Sequence, residues 1–264
     1  MTIHCHPELE RSPIQTAARL LADAKRLLVL GGAGLSADAG VPTFRGEGGY
    51  WRSVRSEDLA SRDGFDKAPE MVWDWYRERR LTVANAQPHA GQRALSLLQR
   101  HTQGTILVAT TNEDDLLERA GVTDVVHLHG DLFTTRCAAD CGWAARDDQD
   151  NALSLASCPA CGAKVRPGSI WFGEPLPREA LDRIAAFDPD GLLLVGSSCL
   201  VKPVSDLPLD LVNHGCPVVE INPEATPISD YVAVSLRGTA KQMLPALVDL
   251  LTSCTVRDQA RRIT

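Results

Sequence analysis

Short apolar runs separated by helical stretches constrain this chain more than any other feature of it. The run Arg26-Leu-Leu-Val-Leu-Gly31 stops at glycine, and similar runs follow at 105–109, 124–128, 191–195, 217–221 and 231–235. Each is short and almost continuously apolar, as expected of a strand buried on both faces of a parallel sheet. Ile14, Ala17, Ala18, Leu21 and Ala22 recur at helical spacing ahead of the first run. Segments 89–99, 177–186 and 241–251 read as further helices. Apolar strands alternating with helices predict an α/β fold built on a doubly wound parallel sheet.

Two segments break that rhythm. Residues 47–87 are rich in aromatic and charged side chains and read as a helical insert, whereas 132–165 hold four cysteines and little apolar periodicity. The expected organisation is a Rossmann-like nucleotide-binding domain made of 14–46, 88–131 and 166–254. The inserts 47–87 and 132–165 then form a smaller zinc-binding domain, with ligands in the crevice at the carboxyl ends of the strands. A chain of 264 residues accommodates one large domain with such inserts. The net charge of −7 argues against a broad basic footprint for nucleic acid. No apolar run reaches the roughly 18 residues of a membrane span, and MTIHCHPELERSP lacks the basic-then-apolar pattern of a secretory signal. A cytoplasmic monomer with no nucleic-acid or membrane partner is expected.

Four of the eight cysteines fall in one window. Cys137 and Cys141 form one close pair, Cys158 and Cys161 another, each followed directly by glycine (Gly142, Gly162). Two such knuckles complete a tetrahedron of thiolates around one zinc ion. A closed four-thiolate site leaves no position for substrate, so the metal is expected to be structural.

The first run leads into Gly31-Gly-Ala-Gly-Leu-Ser-Ala-Asp-Ala-Gly40-Val-Pro-Thr-Phe-Arg-Gly46. Glycines at 32 and 34 permit a tight turn and close approach of backbone to a pyrophosphate. Taken alone, the turn fits an ordinary strand-to-helix connection equally well, because Ala37 stands where G-x-G-x-x-G has its last glycine. Its continuation, however, resembles the NAD-binding signature of the sirtuin family almost residue for residue. Further matches follow in the family's order from about Leu27 to Leu247.

That resemblance implies NAD as co-substrate, bound by Gly32, Ala33, Gly34, Phe44, Arg45, Thr111, Asn112, Asp114, Gly196, Ser197, Ser198, Asn222 and Ala240. Phe44 and Arg45 match a loop shielding the reactive ribose from water. Asp114 matches the carboxylate on the nicotinamide carboxamide, and Asn112 the amide that orders the ribose or its water. Gly196-Ser-Ser198 resembles the segment on the ribose and phosphate side, Asn222 the grip on the adenosine ribose, and Ala240 a neighbour of adenine. His129, in His127-Leu-His129-Gly130, matches the catalytic histidine, a residue type suited to base chemistry near neutral pH. Asn112 and Asp114 complete the implied catalytic set. Phe172, Gly173 and Glu174 lie in a segment resembling the one that pairs with substrate peptide. The implied activity is removal of acyl groups from protein lysines, yielding nicotinamide and O-acyl-ADP-ribose.

Tyr76 and Arg79, three residues apart on the helical insert, resemble the Tyr-x-x-Arg of sirtuins that remove succinyl or malonyl groups; a phenol beside a guanidinium suits an acyl carboxylate. The chain departs from the family where Gln-Asn-Ile-Asp reads Thr111-Asn112-Glu113-Asp114, and at Ala39 and Leu117. Glu113 is costly to bury unpaired, so it is expected to turn outward or meet a cation. These changes keep two other readings open: an ADP-ribosyltransferase or NAD hydrolase, and a non-catalytic NAD sensor.

Overall fold

The computed structural model describes residues 12–43, 50–51, 53–102, 104–146 and 157–262, with backbone alone at 50, 51 and 254–262. Its strands are β1 Arg26–Gly31, β2 Tyr50–Trp51, β3 Val54–Arg55, β4 Thr105–Thr110, β5 Val126–His127, β6 Gly130–Cys137, β7 Ala144–Arg146, β8 Val165–Ser169, β9 Gly191–Val195, β10 Val218–Ile221 and β11 Val234–Leu236. Six of them form one all-parallel sheet in the order β11-β10-β9-β1-β4-β5.

Burial on both faces explains the unbroken apolar runs. On one side Leu27 and Val29 pack with Val108, Leu193 and Val219 under helices Pro13–Ala22, Ala90–His101 and Ala240–Arg262. On the other, Leu28 and Leu30 pack with Leu107, Leu192, Leu194 and Val218 against Ala180 and Ile184 of helix Arg178–Phe187. Among the described residues no helix is long and apolar enough to cross a membrane.

The structure differs from the sequence reading at several places, three of them along the parallel sheet. β5 is shorter than the 124–128 run because Asp124 sits in a left-handed turn, φ 57°. The last strand starts at Val234 rather than 231, since Tyr231 is 62% exposed on a turn. Helix Leu207–Asn213 lies between β9 and β10, where the sequence reading placed none; it is short and starts through Pro208, which a first helical turn tolerates.

The cysteine-bearing segment forms a three-stranded antiparallel sheet, β7-β6-β8. It shares one core with the helical insert: Phe65, Val72, Trp73 and Tyr76 pack with Leu132, Phe133, Val165 and Trp171, and Cys137 and Cys158 belong to the same cluster. Trp73 donates to the Val165 carbonyl at 3.2 Å, and Arg80 to those of Leu132 and Thr134 at 2.7 and 3.1 Å.

After β1 the parallel sheet grows outward through β4 and β5, then resumes on the opposite side with β9, β10 and β11. The carboxyl ends of β1 and β9 therefore flank a topological switch point, where ligands bind in doubly wound sheets.

Candidate active site

The glycine-rich turn sits at that switch point. Gly32 N–H donates to the Val195 carbonyl and Gly34 N–H to that of Gly196, both at 2.9 Å. A Cβ on Gly34 would lie 2.8 Å from Gly196 Cα, and one on Gly196, at φ +61°, 2.5 Å from Leu35 N. Two backbones in contact leave no room for a side chain on either. Half-buried Ser197 and Ser198 follow, and Asn222, just past β10, donates to the Ser197 carbonyl at 2.8 Å. Ala240 opens the last helix, whose Lys241 N–H reaches the Asp38 carboxylate at 3.4 Å. Gly32, Ala33, Gly34, Gly196, Ser197, Ser198 and Asn222 thus meet at one end of the sheet. Phe44 and Arg45 lie outside the described residues.

Beside the turn is a polar cluster centred on Ser36, which the sequence reading did not single out. Ser36 Oγ accepts from Asn112 Nδ2 at 3.0 Å and from Gln92 Nε2 at 3.3 Å. With two amide donors on its oxygen, the hydroxyl hydrogen goes to Asp114. Leu116 N–H donates to the same carboxylate at 3.1 Å. Burial pushes the Asp114 carboxyl above its ordinary range, while the Ser36 and Leu116 bonds and the His127 charge act against that rise. All four side chains are buried. Ser36→Ala strands two amide donors and takes one hydrogen bond from a buried carboxylate that keeps the Leu116 N–H, at about 1–3 kcal/mol per stranded group. The expected result is a lower melting temperature together with weaker NAD binding, read by calorimetry; an unchanged melt refutes the cluster's role.

The two neighbouring histidines stand in opposite states. His129, half-buried just past β5, hydrogen-bonds the Thr111 carbonyl. Burial draws its pKa below the ordinary 6.5, although Glu113 and the Thr111 bond oppose this. The ring is therefore neutral near pH 7, one nitrogen donating and the other carrying a free lone pair. His127 donates from Nδ1 to the Asn112 carbonyl at 3.0 Å and from Nε2 to Glu118 at 2.7 Å. Both partners only accept, so both nitrogens carry hydrogen. Burial lowers the His127 pKa, but Glu118 and Asn112 outweigh it and the net shift is upward. His127 thereby tethers the loop bearing Asn112, and of these two rings it is His129 that keeps a basic nitrogen.

Of the two expectations for Glu113, the structure shows the cation: it is 8% exposed and pairs with Arg79 at 3.1 Å. Arg79 also stacks over Trp75, 5.1 Å from the ring centre. Tyr76 is fully buried and accepts a hydrogen bond from Trp171 Nε1 at 3.0 Å. Burial first, and the Glu113 charge second, push its hydroxyl well above the usual range. Phe172 and Gly173 are exposed, and Phe172 N–H donates to the Ala60 carbonyl at 2.9 Å. Glu174 instead turns inward onto Arg166, Arg136 and the Trp171 N–H. Burial opposes ionisation of its carboxyl, but Arg166 and these neighbours hold it below the usual range.

Cys137, Cys141, Cys158 and Cys161 place their sulfurs within 4.8 Å of one another. The pairs Cys137–Cys161 and Cys141–Cys158 stand at 3.5 and 3.6 Å. Tetrahedral zinc with bonds of about 2.3 Å needs sulfurs about 3.8 Å apart, so the quartet fits the ion. Gly142 and Gly162, at φ 90° and 76°, turn the chain after each pair, and Ala139 N–H donates to Cys137 Sγ at 3.3 Å.

A glycine turn locked into the switch point of a parallel sheet, with a neutral histidine beside it and a four-thiolate lobe above, defines a dinucleotide-binding α/β protein carrying a structural metal module. More narrowly, the chain belongs to the Sir2 family, whose model matches residues 32–203. It is 40% identical over 232 residues to NAD-dependent protein deacylase 1 of Archaeoglobus fulgidus, covering 87% of this chain and 94% of that protein. It is 42% identical over 235 residues to the NAD-dependent protein deacylase Sir2 of Mycolicibacterium smegmatis, covering 86% and 96%. A solved Sir2 homologue–NAD complex shares 38% identity and a TM-score of 0.86, covering 96% of this chain and 98% of that one.

Proposed function

We propose that this protein is an NAD-dependent lysine deacylase, which releases nicotinamide and transfers the acyl group from a protein or peptide lysine to ADP-ribose. The observation carrying the reading is the neutral, half-buried imidazole of His129 beside the Asn112/Asp114/Ser36 cluster at the switch point. In this mechanism the acyl oxygen bonds to the ribose carbon as the bond to nicotinamide breaks, nicotinamide leaving with the electron pair. His129 takes the proton of the ribose hydroxyl that then bonds to the acyl carbon. The C–N bond to lysine breaks, the amine leaves carrying a proton, and a water supplies the oxygen that completes O-acyl-ADP-ribose. Asp114 holds the carboxamide and Asn112 the ribose or its water. The pyrophosphate and adenosine lie along Gly32, Ala33, Gly34, Gly196, Ser197, Ser198, Asn222 and Ala240, with Thr111 at the sugar.

Tyr76 and Arg79 face the acyl end, and Phe172 and Gly173 the substrate backbone, a segment that Glu174 braces from within through Arg166. Zinc on the four cysteines holds the lobe that carries this surface. The proposed division is the one read from the sequence, with the small lobe extended to Ser169 because β8 pairs with β6. The working unit is a monomer in a reducing, cytoplasmic setting suited to a metal-bound thiolate quartet. The net charge of −7 offers no nucleic-acid footprint.

The test is incubation with NAD and one peptide carrying acetyl-, propionyl- or succinyl-lysine, followed by mass spectrometry. Equal amounts of nicotinamide, free lysine peptide and O-acyl-ADP-ribose are expected. Free ADP-ribose without peptide, or label from NAD fixed on protein, would instead select the hydrolase or ADP-ribosyl-transfer reading. NAD binding without turnover would select the sensor.

A further inference from the structure

Glu113 stands between Asn112 and Asp114, in the loop that carries the nicotinamide end of the site, yet its side chain reaches the helical insert. Its carboxylate meets Arg79 Nη2 at 3.1 Å, and both side chains are largely withdrawn from water, 8% and 18% exposed. Its backbone is pinned as well, because Leu132 N–H of β6 donates to the Glu113 carbonyl at 2.9 Å. The adjacent Tyr76 is fully buried, its hydroxyl oxygen accepting from the Trp171 indole N–H at 3.0 Å. The guanidinium that suits an acyl carboxylate is thus already matched by a carboxylate belonging to the chain itself.

We infer that Glu113 is a selectivity-determining residue: by neutralising Arg79 it fits the acyl pocket to uncharged acyl groups, such as acetyl and propionyl, and turns away those that end in a carboxylate. The inference rests on the proposed deacylase reading and deepens it. Its physical basis is charge balance. Arg79 and Glu113 together sum to zero, so a succinyl or malonyl end brings an unbalanced negative charge into a site with little water. Either two carboxylates then crowd one guanidinium, or Glu113 gives up its partner while largely buried; both are unfavourable. An acetyl or propionyl group adds no charge and leaves the pair intact.

The experiment compares kcat/KM for otherwise identical acetyl- and succinyl-lysine peptides with NAD, in the wild type, Glu113→Gln, Arg79→Gln and the double variant. The wild type is expected to favour acetyl by about tenfold or more. Glu113→Gln is expected to raise the succinyl-to-acetyl ratio by about tenfold or more, as removal of one like charge from a half-buried site implies. That gain disappears in the Arg79→Gln background, which marks it as acting through the guanidinium rather than through general loosening. Glu113→Leu, which also removes the charge, serves as a second variant should the glutamine form not fold, and the wild-type ratio is decisive without either. A wild-type preference for succinyl overturns the inference, as does a ratio unmoved by both Glu113 variants while deacetylation persists. Failure of the wild type to release nicotinamide with either peptide overturns the deacylase reading itself, and the two failures are told apart by that control.

Discussion

His129→Ala is expected to lower acyl-peptide-dependent nicotinamide release by about a thousandfold, within the range that a positioned general base contributes. NAD affinity, measured by calorimetry, should change only a few-fold. The split follows from geometry: the backbone contacts between residues 32–34 and the 195–197 segment do not involve the imidazole. The pH profile sharpens the test. Burial draws the His129 pKa below 6.5, and the base works in its neutral form. Activity should therefore rise with pH through that lowered pKa and be level by neutrality, and the alanine variant should lose this acidic limb. His127 cannot substitute, since both its nitrogens are engaged as donors. A variant that kept its rate, or kept the acidic limb, would remove His129 from the chemistry.

The parallel sheet was legible in the sequence because β1, β4, β9 and β10 are buried on both faces, which leaves continuous apolar runs. β11 was displaced and helix Leu207–Asn213 was not seen. In each, exposed or turn-forming residues dilute the pattern, and packing against the sheet settles the structure. The glycine turn was legible as a motif, but its cause is tertiary: Gly34 is excluded from carrying a side chain by Gly196, far along the chain. Ser36 and Gln92 were missed for the same reason. Residue 36 lies on the short helix after β1, 92 on helix Ala90–His101, and 112 and 114 on the loop after β4, and only tertiary packing, the pairing of β1 with β4 included, brings them together. Elementary electrostatics narrowed Glu113 to an outward turn or a cation, but Arg79 lies 34 residues earlier and no local rule could name it.

Loss of zinc is expected to have the larger structural effect. Cys158→Ser should abolish stoichiometric zinc and lower the melting temperature by about 10 °C or more, because structural zinc sites contribute several kcal/mol and each is worth about 2–4 °C in a chain of this size. Cys137 and Cys158 sit in the same cluster as Tyr76, Leu132, Phe133, Val165 and Trp171, so an unmade tetrahedron opens the core of the whole small lobe. β6 begins at Gly130, directly after His129, and ends at Cys137, so the metal clamps one end of a strand whose other end positions the base. Chelation should therefore abolish deacylation even though the four thiolates leave zinc no open position for chemistry. Thiolates must be deprotonated to bind, so zinc should leave more readily at pH 6 than at pH 8, and re-addition should restore melting temperature and rate together. Metal analysis alongside thermal unfolding checks this. A metal-free protein that melts where the zinc form does, or that recovers stability on re-addition but not activity, would detach the thiolate quartet from the positioning of His129.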